Sequence, residues 1–362
     1  MTVTINLGFD RGNARTNVCT VVKDGKVIEI DESSVVAEFN YERYKTINAG
    51  ASQTSLDANN LILEYDGTHY VFGELATKQG LNPSTGFADQ DRYHGLHTKL
   101  AVMAFTTLLA QKVYPKYPLP YDLAANIVMG VPVKVFAQER SKIESELQNK
   151  SFRFKVGERE HRLLIQSVRV FMEGAGAAIY KGLSPNGLTA VIDPGSFTTN
   201  ALIFDGMKPV QDLCRSFEIG VGTAIKRVKE KFANHYNREM EDHEAESILR
   251  AAFGLGDIPD DIYAESGLVS YGDLAEWMLA AVKATGEEIQ SNINGVWKQK
   301  SRQVKVTLLV GGGSYYFYPQ FKDAFSRVDR PVDSEKYNAR GYAVLADQIA
   351  ERNSKLQVVK GA

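Results

Sequence analysis

Two short stretches of this chain set a carboxylate beside a glycine and small polar residues, each at the end of an apolar strand. The first is G-F-D-R-G-N-A-R-T-N at 8–17, and the second is D-P-G-S-F-T-T-N at 193–200. Glycine reaches backbone conformations closed to other residues and can aim successive N–H groups at one anion. Gly12 and Gly195 are therefore candidate centres of phosphate nests. Asp10 and Asp193, at the strand ends, suit Mg2+ held through water, because that ion takes oxygen ligands and keeps several waters. In the second turn the hydroxyls of Ser196, Thr198 and Thr199 add donors, whereas Pro194 removes one, so its cradle must use the amides from Gly195 onward. Either turn alone is equally an ordinary hairpin turn, since Asp and Gly are common turn formers.

A third stretch, L-L-V-G-G-G-S at 308–314, ends an apolar strand in Gly311, Gly312 and Gly313 before Ser314. Backbone without side chains can lie close to a flat ligand such as a nucleoside, and three glycines exceed what a turn needs. V-M-G-V-P-V at 128–133 reads by itself as a strand end. Y-N-A-R-G-Y at 337–342 reads by itself as a loop entering the last helix.

The elements that must position these residues alternate between strand and helix, which predicts an α/β protein. Strands are expected at 3–7, 16–22, 126–131, 168–172, from 190, and at 304–310. Hairpins are expected near Asp24-Gly25, Asp66-Gly67 and over 151–165. Helical spacing covers 92–112, with Leu96, Leu100, Met103 and Leu108 on one face, then 137–148, 174–180, most of 222–297, and 339–352. Residues 32–54 are polar and without period, and read as an exposed excursion. The two acidic turns each open one half of the chain, which predicts two lobes on one plan, with little sequence identity between them.

Of the 362 residues, 44% are hydrophobic and the formal net charge is −2, so no general positive field exists to hold nucleic acid directly. Cys19 and Cys214 have no redox or metal-ligand spacing, which argues against a disulfide framework and for the cytoplasm. No secretory leader and no membrane span are expected.

The order of the pieces resembles the actin-like ATPase superfamily. An acidic turn, G-V-P after a strand, a second acidic turn, a glycine triplet and N-A-R-G correspond to its phosphate 1, connect 1, phosphate 2, adenosine and connect 2 motifs. The resemblance runs from Gly8 to Ala346. Size, G-G-G-S and N-A-R-G-Y are most similar to the plasmid-segregation actins (ParM/StbA type) and related archaeal actin-like proteins.

That resemblance implies the actin/Hsp70/sugar-kinase (ribonuclease H-like) fold, with ATP or ADP and Mg2+ between two similar lobes. Lobe I would be 1–190, with a small subdomain at 32–75 and the C-terminal helix 336–355 returning to it; lobe II would be 191–335. Glu173, in F-M-E-G-A-G-A-A, would position or activate the attacking water, with Asp10 and Asp193 completing the catalytic set and holding Mg2+ through water. Arg11, Gly12, Asn13, Gly195, Ser196, Phe197, Thr198, Gly222, Lys226, Glu246, Gly311, Gly312, Gly313 and Ser314 would surround the nucleotide. The expected function is a filament-forming ATPase whose self-assembly segregates plasmid DNA through a DNA-binding adaptor, without direct nucleic-acid or membrane contact. A small-molecule kinase of the same fold and a non-polymerising nucleotide switch are the alternatives.

Overall fold

In a computed structural model of the protein, all residues are described except 1, 23, 48–60, 87–92, 116–121, 158, 183–186, 260–261, 265–266 and 361–362. The chain forms two compact units, Met1–Gly182 with Lys336–Ala362, and Leu183–Glu335.

The first unit opens with β1 (Val3–Arg11), β2 (Arg15–Val21) and β3 (Val27–Ser33), a meander whose second turn places Gly25 at φ +76°. β4 (Val36–Glu38), α1 (Tyr41–Ile47), β5 (Ile62–Tyr65), β6 (Thr68–Phe72), α2 (Gly73–Gln79) and β7 (Leu81–Ser84) follow. Next come α3 (Leu96–Val113), β8 (Asp122–Val131), α4 (Val133–Leu147), β9 (Ser151–Val156), β10 (Arg159–Met172) and α5 (Ala175–Lys181). The C-terminal helix, Tyr337–Lys360, completes this unit.

Its ten-stranded sheet has the order β3-β2-β1-β8-β10-β9-β5-β6-β4-β7. The central strands β1, β8 and β10 are parallel; β8, in the middle, is buried along nearly its whole length and reads as an almost continuous apolar run, whereas β10 alternates buried and exposed residues over much of its length. Alternation divides their side chains. Leu7, Phe9, Ile127 and Met129 join the core that includes α3 and α4, whereas Val128 packs with Tyr342 and Ala346 of the C-terminal helix.

Three expectations change. Residues 32–54 are not simply an exposed excursion: they contain β4 and α1, and Val36, Ala37 and Phe39 are buried. The short apolar run V-V-A-E-F suffices for a strand once β6 and β7 pair with it on either side. Residues 48–54 lie outside the described set. Secondly, α3 has no single buried face. Thr98, Thr106 and Thr107 are buried with Leu100, Met103 and Leu108, while Leu96 is exposed, as suits a helix apolar nearly all round. Thirdly, N-A-R-G lies inside the first turns of the C-terminal helix, not in a loop before it.

The second unit comprises β11 (Leu188–Pro194), β12 (Thr199–Asp205), β13 (Lys208–Pro209), β14 (Arg215–Phe217), α6 (Val221–Tyr236), α7 (Asp242–Ala252) and the β15 (Ile262–Ala264)–β16 (Gly267–Val269) hairpin. It continues with α8 (Tyr271–Trp297), β17 (Val304–Leu309), α9 (Ser314–Ala324) and β18 (Val328–Asp329). Its main sheet runs β13-β12-β11-β17-β18, with β14 also pairing β12. The plan of β3-β2-β1-β8-β10 is thus repeated, with two antiparallel and then two parallel pairings. α8 buries Leu274, Met278, Val282, Ile289 and Ile293 at helical spacing against this unit's core.

The C-terminal helix approaches backbone to backbone. A Cβ on Gly341 would overlap the Gly176 carbonyl, and one on Gly8 would overlap Ala339 and Ala343. Beside that contact Glu29 accepts from Lys336 Nζ at 2.8 Å and from Arg340 Nε at 3.0 Å. Burial raises the Glu29 pKa, but the hydrogen bonds and charges of Arg340 and Lys336 outweigh it and hold the carboxyl below 4.5. The cluster's contribution is therefore complete above the unfolded value and is lost as pH falls through the lower folded value. Glu29→Gln should lower thermal stability at about pH 7, and its stability should fall less than that of the wild type towards about pH 4. Thermal unfolding of both proteins across that range checks this.

Candidate functional site

Within each unit the chemistry-bearing residues gather at the carboxyl ends of parallel strands, the usual ligand side of open α/β sheets. In the first unit Phe9, Met129 and Val170 lie in one row, so Asp10 and Glu173 come at the carboxyl ends of β1 and β10, the two strands on either side of β8. In the second, Ile192 pairs Leu309, which brings Asp193 beside the glycine triplet.

The two acidic turns match bond for bond. Asp10 faces Asn17 and Asp193 faces Asn200 across their hairpins. Gly12 N–H donates to the Arg15 carbonyl (2.9 Å), and Gly195 N–H donates to the Thr198 carbonyl (2.7 Å). These two amides close the turns and are not the anion donors that the glycines alone pointed to. Aligned this way, D-R-G-N-A-R-T-N and D-P-G-S-F-T-T-N share Asp, Gly, Thr and Asn. That identity is higher than the coarse repeat implied; it would have exposed Thr16, and it marks Thr199, expected as a phosphate donor, as its structural counterpart.

Each turn is held from behind through its carbonyls. In the first, Ser34 donates its hydroxyl to the Gly12 carbonyl (2.6 Å) and its N–H to the Ala14 carbonyl (2.9 Å). Since the Ser34 proton is committed, Thr16 donates to Ser34 Oγ (2.9 Å). In the second, the first amides of α6 do this work: Val221 N–H bonds the Gly195 carbonyl (3.0 Å) and Gly222 N–H bonds the Ser196 carbonyl (2.7 Å). Thr199 donates to the Ile219 carbonyl (2.7 Å). All described peptides are trans, so the N–H that follows a pinned carbonyl points the opposite way. Asn13 and Arg15 N–H in one turn, and Ser196 and Phe197 N–H in the other, are thereby aimed away from the scaffold. Gly222 acts through the turn, as part of its support.

The glycine triplet divides into two kinds. A Cβ on Gly311 would overlap Asp193 Oδ1, and one on Gly313 would lie 2.6 Å from the Pro194 carbonyl. Gly313 N–H also donates to that carbonyl, at 2.8 Å. Pro194 thus loses a donor but supplies the acceptor that anchors the triplet. Gly312 has nothing within 4 Å of where its Cβ would sit, so it alone presents open surface. Ser314 is buried with its hydroxyl 2.7 Å from Ser334 Oγ, a structural pairing.

Other expected residues separate similarly. Arg11 is buried, donating to Thr98 Oγ1 (3.0 Å) and the Thr85 carbonyl, so its guanidinium ties β1 to α3. Phe197 is 62% exposed at the tip of its turn. Lys226 lies on the solvent face of α6, paired with Glu230 at 3.7 Å. Glu246 is different. Burial, then the Asp242 charge, raises its pKa, and its charge reaches Tyr316, one turn into the helix that follows the triplet. Asn338, Tyr342 and Ser34 were not expected. Asp10 and Asp193 are hard oxygen donors, and the described residues hold no cluster of three or more metal-ligating side chains. A single strand-end carboxylate, as each unit offers, fits Mg2+ that keeps its waters and binds mainly through phosphates. Among the described residues no helix is long and apolar enough to cross a membrane.

An α/β chain that builds the same sheet and the same acidic turn twice is of the actin-like fold class. The N-terminal domain model of actin-like proteins matches residues 8–176, and the C-terminal model of the archaeal actin homologue MreB-like matches residues 191–323. Archaeal actin homologues of Thermoplasma volcanium and Thermoplasma acidophilum are each 28% identical over 221 residues, 58% of this chain and 64% of theirs. The matched stretch thus spans less than two thirds of these curated relatives. The crystal structure of Ta0583, an archaeal actin homologue, superposes with a TM-score of 0.71 at 22% identity over 95% of this chain and 99% of that one. Its complex with ADP gives 0.67, also at 22% identity over the same shares. A 15-stranded ParM filament from Clostridium botulinum gives 0.73 at 18% identity, over 96% and 99%. The chain belongs to the actin-like superfamily.

The division of the triplet yields a paired prediction. Gly311→Ala adds a Cβ against Asp193 at φ +77° and should cost about 1–3 kcal/mol of stability. Gly312→Ala should stay within about 0.5 kcal/mol of wild type. Denaturant unfolding of the two variants compares them.

Proposed function

We propose that the protein is an ATP-hydrolysing, filament-forming actin-like protein whose assembly follows its nucleotide state. The observation that carries this reading is the doubled turn, which aims outward-facing amides beside a strand-end carboxylate in each unit. A cradle of this kind suits a nucleotide phosphate, because phosphate oxygens accept from backbone N–H groups. The ADP complex of one fold relative supports the nucleotide, and the ParM filament supports self-association.

In this reading the amides of Asn13 and Arg15 and those of Ser196 and Phe197 bind phosphate oxygens. Gly312 offers bare backbone to the nucleoside, with Glu246 and Tyr316 nearby. Asp10 and Asp193 would hold Mg2+ through its waters, and that ion supplies neutralisation of phosphate charge when bound. Glu173, half-buried at the end of β10, orients the attacking water in line with the leaving group. Hydrolysis weakens contacts between copies of the chain, and a DNA-binding adaptor would couple the filament to its cargo in the cytoplasm.

Glu173→Ala should bind ATP normally, hydrolyse it about a hundredfold more slowly and leave longer-lived polymer. Asp10→Ala should weaken nucleotide affinity and assembly together. Phosphate release, nucleotide titration and sedimentation with ATP and Mg2+ measure these outcomes. Normal hydrolysis by Glu173→Ala would remove that residue from the mechanism, and absence of pelletable polymer over broad protein and salt concentrations would remove filament formation.

A further inference from the structure

Glu173 is held through its backbone from three sides. Its own N–H donates to the Val131 carbonyl at the end of neighbouring β8, at 2.8 Å. The carbonyl before it, on Met172, accepts the Tyr342 hydroxyl at 2.9 Å. The N–H after it, on Gly174, donates to Asn338 Oδ1 at 3.1 Å, and Ala177 N–H reaches the same oxygen at 3.2 Å. Asn338 and Tyr342 are buried and four residues apart, on one face of the C-terminal helix. Gly174, the residue before α5, takes φ +89° and has no side-chain oxygen of its own. The first amides of α5 are therefore capped by a residue more than 160 positions away. The close contact of Gly176 with Gly341 is what lets the two helices approach far enough for this.

We propose that Asn338 and Tyr342 are positioning residues for hydrolysis, fixing the peptide planes on both sides of Glu173 and so aiming its carboxylate. This rests on the reading of Glu173 as the residue that orients water. The plane before Glu173 is held at its carbonyl and at the following amide, and the plane after it is held at its amide, so the side chain between the two planes inherits their direction. Small displacements of a group that must align a nucleophile are costly, up to about a hundredfold in rate for roughly 1 Å.

The test is single-turnover ATP hydrolysis at saturating nucleotide, with nucleotide affinity measured separately. Asn338→Ala, Asn338→Asp and Tyr342→Phe are compared in the wild-type and Glu173→Ala backgrounds. Tyr342→Phe removes only the hydroxyl and keeps the ring that packs on Val128, so it serves if Asn338→Ala folds poorly. Asn338→Ala and Tyr342→Phe should each slow hydrolysis about tenfold while affinity stays within about twofold. Asn338→Asp, which keeps an acceptor for both amides, should recover most of the rate. Neither loss should add to that of Glu173→Ala. A slow Glu173→Ala protein that Asn338→Ala slows further by the same factor overturns the positioning role alone. So does a rate that falls only with affinity, or that Asn338→Asp does not restore. A Glu173→Ala protein with the wild-type rate overturns the reading of Glu173, and the positioning role with it.

Discussion

The conformation of each acidic turn depends on hydrogen bonds to its carbonyls. A trans peptide sends C=O and the next N–H in opposite directions, so a donor that captures the carbonyl from behind decides where the amide points. Ser34 does this for the first turn, and the N-terminal amides of α6 do it for the second. An exposed glycine loop would otherwise sample many orientations, with the entropy of backbone freedom opposing any one of them. Outward-facing donors cost little to maintain once the opposite faces of their peptides are occupied.

The same device recurs where the catalytic carboxylate is expected. Tyr342, Val131 and Asn338 hold the peptide groups around Glu173, as Ser34 holds those around Gly12. In every case the support comes from a segment distant in sequence and buried in the same unit. The N-A-R-G motif thus has a packing role. Ala339, Gly341 and Ala343 keep the helix surface small, and Asn338 and Tyr342 use the resulting closeness to reach β10 and α5.

Charge plays a smaller part than the composition allows. Lys226 and Glu230 form an exposed pair of the kind that contributes at most about 1 kcal/mol. The Glu29 cluster with Lys336 and Arg340 is more enclosed, and it fixes the start of the C-terminal helix against β3. Arg11 shows how position overrides residue type: a cation beside an acidic glycine turn is expected to bind phosphate, yet its side chain turns inward, where Thr98 of α3 and the Thr85 carbonyl after β7 accept from it.

The sequence by itself determined the alternation of strands and helices, the strand-end placement of Asp10 and Asp193, and the order of motifs that marks the superfamily. These follow from local patterns: apolar runs, β-branched residues, and glycine or proline at turns. It also contained the doubled D-x-G-x-x-x-T-N, which becomes plain only when strand register aligns Asp10 with Asn17 and Asp193 with Asn200. Tertiary structure decided which glycines meet open space. Gly311 and Gly313 look the same as Gly312 in one dimension, but Asp193 and Pro194 lie against the outer two. It likewise decided that Gly12, Gly195 and Gly222 spend their amides on the scaffold, and that Asn338 caps a helix begun more than 160 residues earlier. A hydrogen-bond partner contributed by a distant segment leaves no periodicity or spacing in the chain, so only the folded unit reveals it.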